Sequence, residues 1–193
     1  MNKKIGLFFG SFNPVHVGHM IIANFMATQT DLQEVWMVVS PHNPLKERKG
    51  LADDRTRLHL VHLAIGDNFN LKASDIEFYL PKPSYTIDTL TYLKEKYPKK
   101  TFALIMGGDN LKSLPKWKNY EIILRDHQIY VYERPGYDSG PLADHINVQV
   151  FNAPQMNISA SYIRNCINNG YSIEYLVTPK VEAYIDENNL FKK

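Results

Sequence analysis

Short, uniformly apolar runs alternate along the chain with longer stretches in which apolar side chains recur every three or four positions. Ile5–Phe9, Val35–Val39, Phe102–Met106, Gln128–Tyr132 and Val148–Phe151 are too short for helices and are bounded by polar or glycine-bearing segments, so they predict buried strands. Between them, His16–Thr28 carries Ile21, Ile22, Phe25 and Met26 at helical spacing. Asp53–Ile65 carries Leu58, Val61, His62 and Ile65 on one face, and Thr86–Lys96 turns Leu90 and Leu93 inward. Ser159–Asn168 and Lys180–Asn188 predict two closing helices. Strands apolar throughout and separated by helices predict an α/β fold, Rossmann-like and doubly wound, with a mainly parallel sheet covered on both faces. Ligands of such sheets bind beyond the C-terminal ends of the strands, so chemistry is expected in the segments that follow each strand.

Those segments are polar or glycine-rich. Gly10-Ser11-Phe12-Asn13-Pro14-Val15-His16-Val17-Gly18-His19 follows the first strand, and Ser40-Pro41-His42-Asn43-Pro44-Leu45-Lys46 follows the second. Gly107-Gly108-Asp109-Asn110 follows Phe102–Met106, and the segment from Asn152 to Ser161 follows Val148–Phe151. In the first loop Gly10 permits a close approach of a ligand to the backbone, and Pro14 suits a helix start. His16 and His19 lie one turn apart on one helix face, with Gly18 keeping the turn between them thin. Two imidazoles beside a helix N-terminus, with its exposed amides and positive dipole end, favour phosphate. A lone pair of this kind is more often two ordinary surface histidines, but with Gly10, Ser11 and Gly18 around it the phosphate reading leads. In the last segment Ser159 is a fitting N-cap, and Ser159, Ser161 and Arg164 could together hold phosphate oxygens. By itself that pattern is a capped helix with a solvated arginine.

Length and composition narrow the classes. The 193 residues fit a single domain over 1–193, with the C-terminal helical part from about 159 packed on it. Hydrophobic residues at 44% and charged residues at 22% are globular values. With 22 Lys and Arg against 20 Asp and Glu, the net charge of +2 excludes a dedicated duplex-nucleic-acid binder but not a small anionic ligand. Cys166 is the single cysteine, so there is no intrachain disulfide and no Cys-rich metal site, as suits a reducing compartment. No apolar run approaches the roughly 18 residues a membrane span requires, and the expectation is a cytoplasmic protein that binds neither membrane nor nucleic acid. The sequence leaves the oligomeric state open, a homo-oligomer included. Neither the P-loop pattern nor Gly-x-Gly-x-x-Gly after the first strand is present, so a phosphate site must be of another kind.

Taken together, Gly10-Ser11-Phe12-Asn13-Pro14-x-His16-x-Gly18-His19 and Ile158-Ser159-x-Ser161-x-x-Arg164 resemble the His-x-Gly-His and Ile-Ser-Ser-Thr-x-x-Arg motifs of the nucleotidylyltransferase superfamily. Pro83-Ser84-Tyr85-Thr86-Ile87-Asp88-Thr89-Leu90, the Gly107–Leu111 turn with Leu114-Pro115-Lys116-Trp117, and Tyr175–Val181 resemble the nicotinate-nucleotide adenylyltransferases within it. The resemblance runs from Ile5 to about Ile185. It implies adenylyl transfer from ATP to nicotinate mononucleotide, giving deamido-NAD and pyrophosphate, with Mg2+ required. It further implies that Gly10, Ser11, Phe12, His16, Gly18, His19, Gly107, Asp109, Ser159, Ser161 and Arg164 bind ATP. His16, His19, Lys46 and Arg164 would act in catalysis. Asn13, Lys46, Tyr85, Thr86 and Trp117 would meet nicotinate mononucleotide, and no side chain is assigned as a metal ligand. The family pattern often has Asp where this chain has Asn13, Ser at Ala160 and Thr at Ser161.

The chemistry supports these roles independently. A phosphate oxygen displaces pyrophosphate from the α-phosphorus, both partners are anions, and no side-chain nucleophile is needed, so alignment and charge stabilisation should suffice. Trp117 can stack on a pyridinium ring, and the helix start at Tyr85 and Thr86 can receive a carboxylate. Cys166 reads as a packed side chain. His59, His62, His127 and His145 read as ordinary histidines, whereas His42 lies in a strand-end loop near the expected site. Nicotinamide mononucleotide or phosphopantetheine as acceptor, and a non-catalytic nucleotide sensor, are the competing readings.

Overall fold

The computed structural model describes residues 3–41, 50–133, 140–154 and 156–192. Six strands, β1 (Lys3–Gly10), β2 (Glu34–Val39), β3 (Leu71–Ser74), β4 (Lys100–Gly107), β5 (Ile129–Tyr132) and β6 (Val148–Phe151), form one sheet in the order β3-β2-β1-β4-β5-β6. Every neighbouring pair is parallel. Among the described residues seven α-helices accompany them: α1 (Val17–Gln29), α2 (Asp54–Ile65), α3 (Thr86–Lys96), α4 (Gly108–Ser113), α5 (Tyr120–Asp126), α6 (Ala160–Asn168) and α7 (Pro179–Glu187).

The alternation of side chains along each strand builds two cores. On one face, Phe8 of β1, Val35, Met37 and Val39 of β2, Ala103 and Ile105 of β4, and Tyr130 of β5 pack with Ile22 and Met26 of α1, Leu60 and Val61 of α2, Ile163 of α6 and Val181 and Ile185 of α7. On the other, Ile5 and Leu7, Trp36 and Val38, and Phe102, Leu104 and Met106 pack with Leu90 and Leu93 of α3, Leu111 of α4 and Ile123 of α5. The C-terminal helices thus complete the core that α1 and α2 begin. Where β1 meets β4 the chain switches from building the sheet in one direction to building it in the other, which opens a crevice at the strand ends. Gly10 and Gly107 close the two strands that flank it.

Three expectations need correction. The sequence pattern puts His62 on the inner face of α2 with Leu58, Val61 and Ile65; Leu58, Val61 and Ile65 do pack against the core, but His62 is exposed and the fully buried residues are Arg57, Leu60 and Val61. The inward Arg57 reads as polar in a hydrophobicity pattern and so shifts the apparent face. The pattern also omits β3, whose sequence Leu-Lys-Ala-Ser is short and lies at the sheet edge, and the short helices α4 and α5. Pro14 does not begin a helix. It follows a cis peptide bond with Asn13, and α1 starts after His16.

Candidate functional site

The first loop leaves β1 at Gly10 and returns under the sheet edge. Phe12 takes a left-handed backbone conformation (φ 44°) and buries its ring, which meets the His19 ring edge-on at 5.0 Å and that of Phe8 at 5.9 Å. A Cβ on Gly10 would lie 2.7 Å from the Phe12 ring. The absent side chain of Gly10 therefore makes room for Phe12, rather than only for a ligand as the sequence suggested.

His16 is not the first residue of α1 but its N-cap, with extended backbone (φ −143°, ψ 169°). Its backbone N–H donates to Nδ1 of His19 over 3.2 Å, and the two rings stack at 3.7 Å. With Nδ1 accepting, a neutral His19 carries its proton on Nε2, where it is a hydrogen-bond donor. A Cβ on Gly18 would come within 3.1 Å of the His16 ring, so the glycine permits the stack. The amides at the start of α1 are partly taken inside the protein: Val17 N–H donates to the Leu176 carbonyl at 3.0 Å and His19 N–H to the His16 carbonyl at 2.9 Å. The helix-terminus contribution expected of α1 is correspondingly smaller, and the imidazoles carry more of the donor capacity.

The two ends of the chain meet here. Arg164 of α6 donates from Nη1 to the Asn13 carbonyl at 2.7 Å and from Nη2 to Ser161 Oγ at 3.1 Å. Burial holds its guanidinium below the usual arginine range, and none of the ion pairs among the described residues includes it. A half-desolvated cation without a carboxylate partner is suited to an anion. Ser159 is the N-cap of α6, its hydroxyl accepting from Tyr162 N–H at 3.1 Å, as its sequence position suggested.

Asn13, which the resemblance assigns to the acceptor, has a structural role as well. Its side chain is buried and engaged with the protein: Nδ2 donates to the Gly50 carbonyl at 2.8 Å, and Oδ1 accepts from Ala52 N–H at 3.0 Å. Beside it lies a group the sequence reading passed over. Arg57 is fully buried, donating from Nη1 to the carbonyls of Ser11 (2.6 Å) and Ser40 (2.9 Å) and from Nε to that of Ala52 (2.9 Å), with Asp54 as its ion-pair partner. Burial pushes its guanidinium below its ordinary value while Asp54 works in the opposite direction. One side chain thereby fixes the ends of β1 and β2 and the approach to α2. An arginine at helical spacing with the apolar inner-face positions Leu60 and Val61 is the signal that could have found it. Lys46 and His42 lie outside the described residues.

Across the crevice, Gly107 is the N-cap of α4, and a Cβ there would fall 2.5 Å from Oδ1 of Asp109 and 3.2 Å from the Tyr132 ring. Phe8 spans the gap, its ring 6.1 Å from both His19 and Tyr132. The remaining residues form a second cluster. Tyr85 is the N-cap of α3 and Thr86 its first residue. Trp117 and Tyr85 are half-buried against the core on that face. Lys118 ties the two segments together, with Nζ 3.0 Å from Asp88 Oδ2 and 4.7 Å from the centre of the Tyr85 ring. Lys118 is a second residue the sequence reading missed, for it looks like any surface lysine.

Among the described residues no group of three or more His, Cys, Asp or Glu is placed to hold a metal ion. Magnesium keeps several waters and binds through substrate phosphates, so a donor set of imidazoles, hydroxyls and a guanidinium without a carboxylate cluster would fit a metal that arrives with a polyphosphate rather than one held by the protein alone. Among the described residues no helix is long and apolar enough to cross a membrane.

The cytidylyltransferase-like family model matches residues 7–166. The "Probable nicotinate-nucleotide adenylyltransferase" of Flavobacterium johnsoniae is 55% identical over 98% of this chain and 100% of its own length. The protein of the same name from Bacteroides fragilis is 43% identical over 92% of this chain and 89% of its own. In fold, the chain superimposes with a TM-score of 0.82 on the Plasmodium falciparum nicotinic acid mononucleotide adenylyltransferase complexed with NaAD, covering 98% of this chain and 97% of that one at 21% identity. With a switch-point crevice, stacked imidazoles and an arginine from the far end of the chain in one place, and full-length relatives of this similarity, the chain belongs to the cytidylyltransferase-like family and, within it, to the nicotinate-nucleotide adenylyltransferases.

Proposed function

We propose that the protein transfers the adenylyl group of ATP to the 5′-phosphate of nicotinate mononucleotide, forming deamido-NAD and pyrophosphate. The observation that carries this reading is the Arg164–Asn13 contact, which puts a cation that joins no ion pair among the described residues beside the loop that presents His16 and His19. The full-length relatives named as nicotinate-nucleotide adenylyltransferases support it.

A phosphate oxygen of the acceptor attacks the α-phosphorus while the bond to the β-phosphate oxygen breaks and pyrophosphate leaves with the electron pair. The attacking phosphate is already deprotonated at neutral pH, so no general base is required. His16, His19, Ser159, Ser161 and Arg164 would hold the triphosphate and spread the charge that builds on the leaving group. Gly10, Ser11 and Phe12 shape the loop against which the dinucleotide lies, Gly18 keeps the histidine turn thin, and Gly107 with Asp109 would line the ribose side. Tyr85, Thr86 and Trp117 would enclose the pyridine ring, with the amides at the start of α3 facing its carboxylate. Lys46 would add a cation to the phosphates. Mg2+ bound to the phosphates would neutralise part of their charge. The lone, buried Cys166 and the use of ATP suit a cytoplasmic setting.

The test is pyrophosphate release with ATP and, separately, nicotinate mononucleotide, nicotinamide mononucleotide and phosphopantetheine, with each product identified by mass. The highest kcat/KM is expected with nicotinate mononucleotide. A higher value with either alternative reassigns the acceptor, and nucleotide binding without turnover of any acceptor would make the protein a sensor.

A further inference from the structure

Glu77 lies in a single 3-10 turn, Ile76–Tyr79, directly after β3, and is 3% exposed. None of the ion pairs among the described residues includes it. Hydroxyl groups hold it instead. Thr89 Oγ1 donates to Oε1 at 2.9 Å and Ser84 Oγ donates to Oε2 at 3.2 Å.

These hydroxyls come from places that matter. Ser84 immediately precedes Tyr85 and Thr86, and Thr89 stands one turn into α3. Ser40, directly after β2, works to lower the Glu77 value, and its carbonyl accepts from Arg57. A carboxyl bound to both the Ser84 and Thr89 hydroxyls joins the start of α3 to the turn that follows β3. Burying a carboxyl without a cation is costly, and burial indeed pushes Glu77 above its ordinary value. Packing alone would be served better by an apolar residue of that size, so the acid is explained by what its two oxygens can gather.

We propose that Glu77 is a positioning residue for the acceptor: by holding Ser84 and Thr89 to the turn that follows β3, it sets where Tyr85 and Thr86 stand relative to the strand ends. The inference rests on the proposed role of Tyr85 and Thr86 at the acceptor. It separates acceptor binding from ATP binding, because Glu77 touches none of the groups assigned to the triphosphate.

The experiment measures KM for ATP and for nicotinate mononucleotide in Glu77→Ala, Glu77→Gln and Thr89→Val, with amide hydrogen exchange on the same proteins. Loss of hydrogen bonds to a charged group corresponds to about tenfold or more. Glu77→Ala is expected to raise the acceptor KM about tenfold, leaving the ATP KM within about twofold, and Glu77→Gln to recover part of the loss. Exchange should quicken at residues 85–90 and stay unchanged at 19–23. Thr89→Val removes one hydroxyl and should shift the acceptor KM in the same direction by a smaller factor, which keeps the test in hand should Glu77→Ala not fold. Equal rises in both KM values, an unchanged acceptor KM, or faster exchange throughout the molecule would each overturn the proposal. If the wild type turns over no nicotinate mononucleotide, the proposed function fails by itself. The exchange pattern then decides whether Glu77 orders the start of α3, and protection unaltered there sinks the inference too.

Discussion

The guanidinium of Arg164 donates to the backbone carbonyl of Asn13 across 2.7 Å, joining residues 151 positions apart. Asn13 stands three residues before His16, so this bond sets the separation between the arginine and the stacked imidazoles. It is also directional, because a planar fork meets the carbonyl with one arm and Ser161 with the other.

Arg164→Lys should therefore do more than a conservative exchange suggests. A lysine keeps the charge but loses the fork, and an expected cost on the scale of a hydrogen bond to a charged group is about 10- to 100-fold in kcat/KM for ATP. Steady-state kinetics with ATP varied checks this, and an unchanged value would remove Arg164 from the phosphate site.

His19→Ala removes a donor whose tautomer is set by the His16 backbone N–H. Turnover should fall by roughly 10²–10³, as for loss of one preorganised charge-stabilising donor. Near-normal turnover in a folded variant would leave His19 a packing partner of Phe12 and nothing more.

Asn13→Asp tests what the amide does. An ionised Asp can accept from Ala52 N–H but cannot donate to the Gly50 carbonyl. Stability should fall by about 1–3 kcal/mol, measured by urea unfolding, while the ratio of kcat/KM for nicotinate over nicotinamide mononucleotide stays the same. A changed ratio would mean that position 13 reaches the acceptor after all.

Arg57→Met keeps the length of the side chain and removes every donor, leaving the carbonyls of Ser11, Ser40 and Ala52 without their partner. A loss on the order of 3 kcal/mol is expected in urea unfolding. A variant as stable as the wild type would show that water or backbone movement replaces the guanidinium.

Glu77 predicts a pH effect of definite sign. Its native value lies above the ordinary 4.5 because of burial, against which the Ser40, Thr89 and Ser84 hydroxyls act. Between the two values the native protein binds more protons than the unfolded chain, so stability falls as pH rises through that window. Urea midpoints of wild type and Glu77→Gln, compared from pH 4 to pH 8, should show the wild type losing ground to the variant as pH increases. A constant difference would contradict the shift.

Much of this was readable from the chain because the signals are local. Five of the strands are apolar runs with polar ends, and α3 begins and ends where its pattern begins and ends. His16, His19, Ser159 and Arg164 stood out because glycines and small hydroxyl residues surround them. Arg57 and Glu77 escaped for the opposite reason: each is charged yet buried, and a pattern of polar and apolar positions sends such residues to the surface. β3 escaped because a four-residue edge strand containing a lysine has too little apolar character to announce itself. The partners of the Asn13 amide, Gly50 and Ala52, lie far away in sequence, so no local pattern announces them.

The hydrogen bond from Val17 to the Leu176 carbonyl makes the tail a lintel over the first helix. A cut ahead of Leu176 would remove no imidazole, no arginine and no serine of the phosphate-binding set, and yet the helix bearing the histidines would lose its doorpost. Damage at the far terminus should thus surface as a defect in triphosphate handling, in a region with no chemistry of its own.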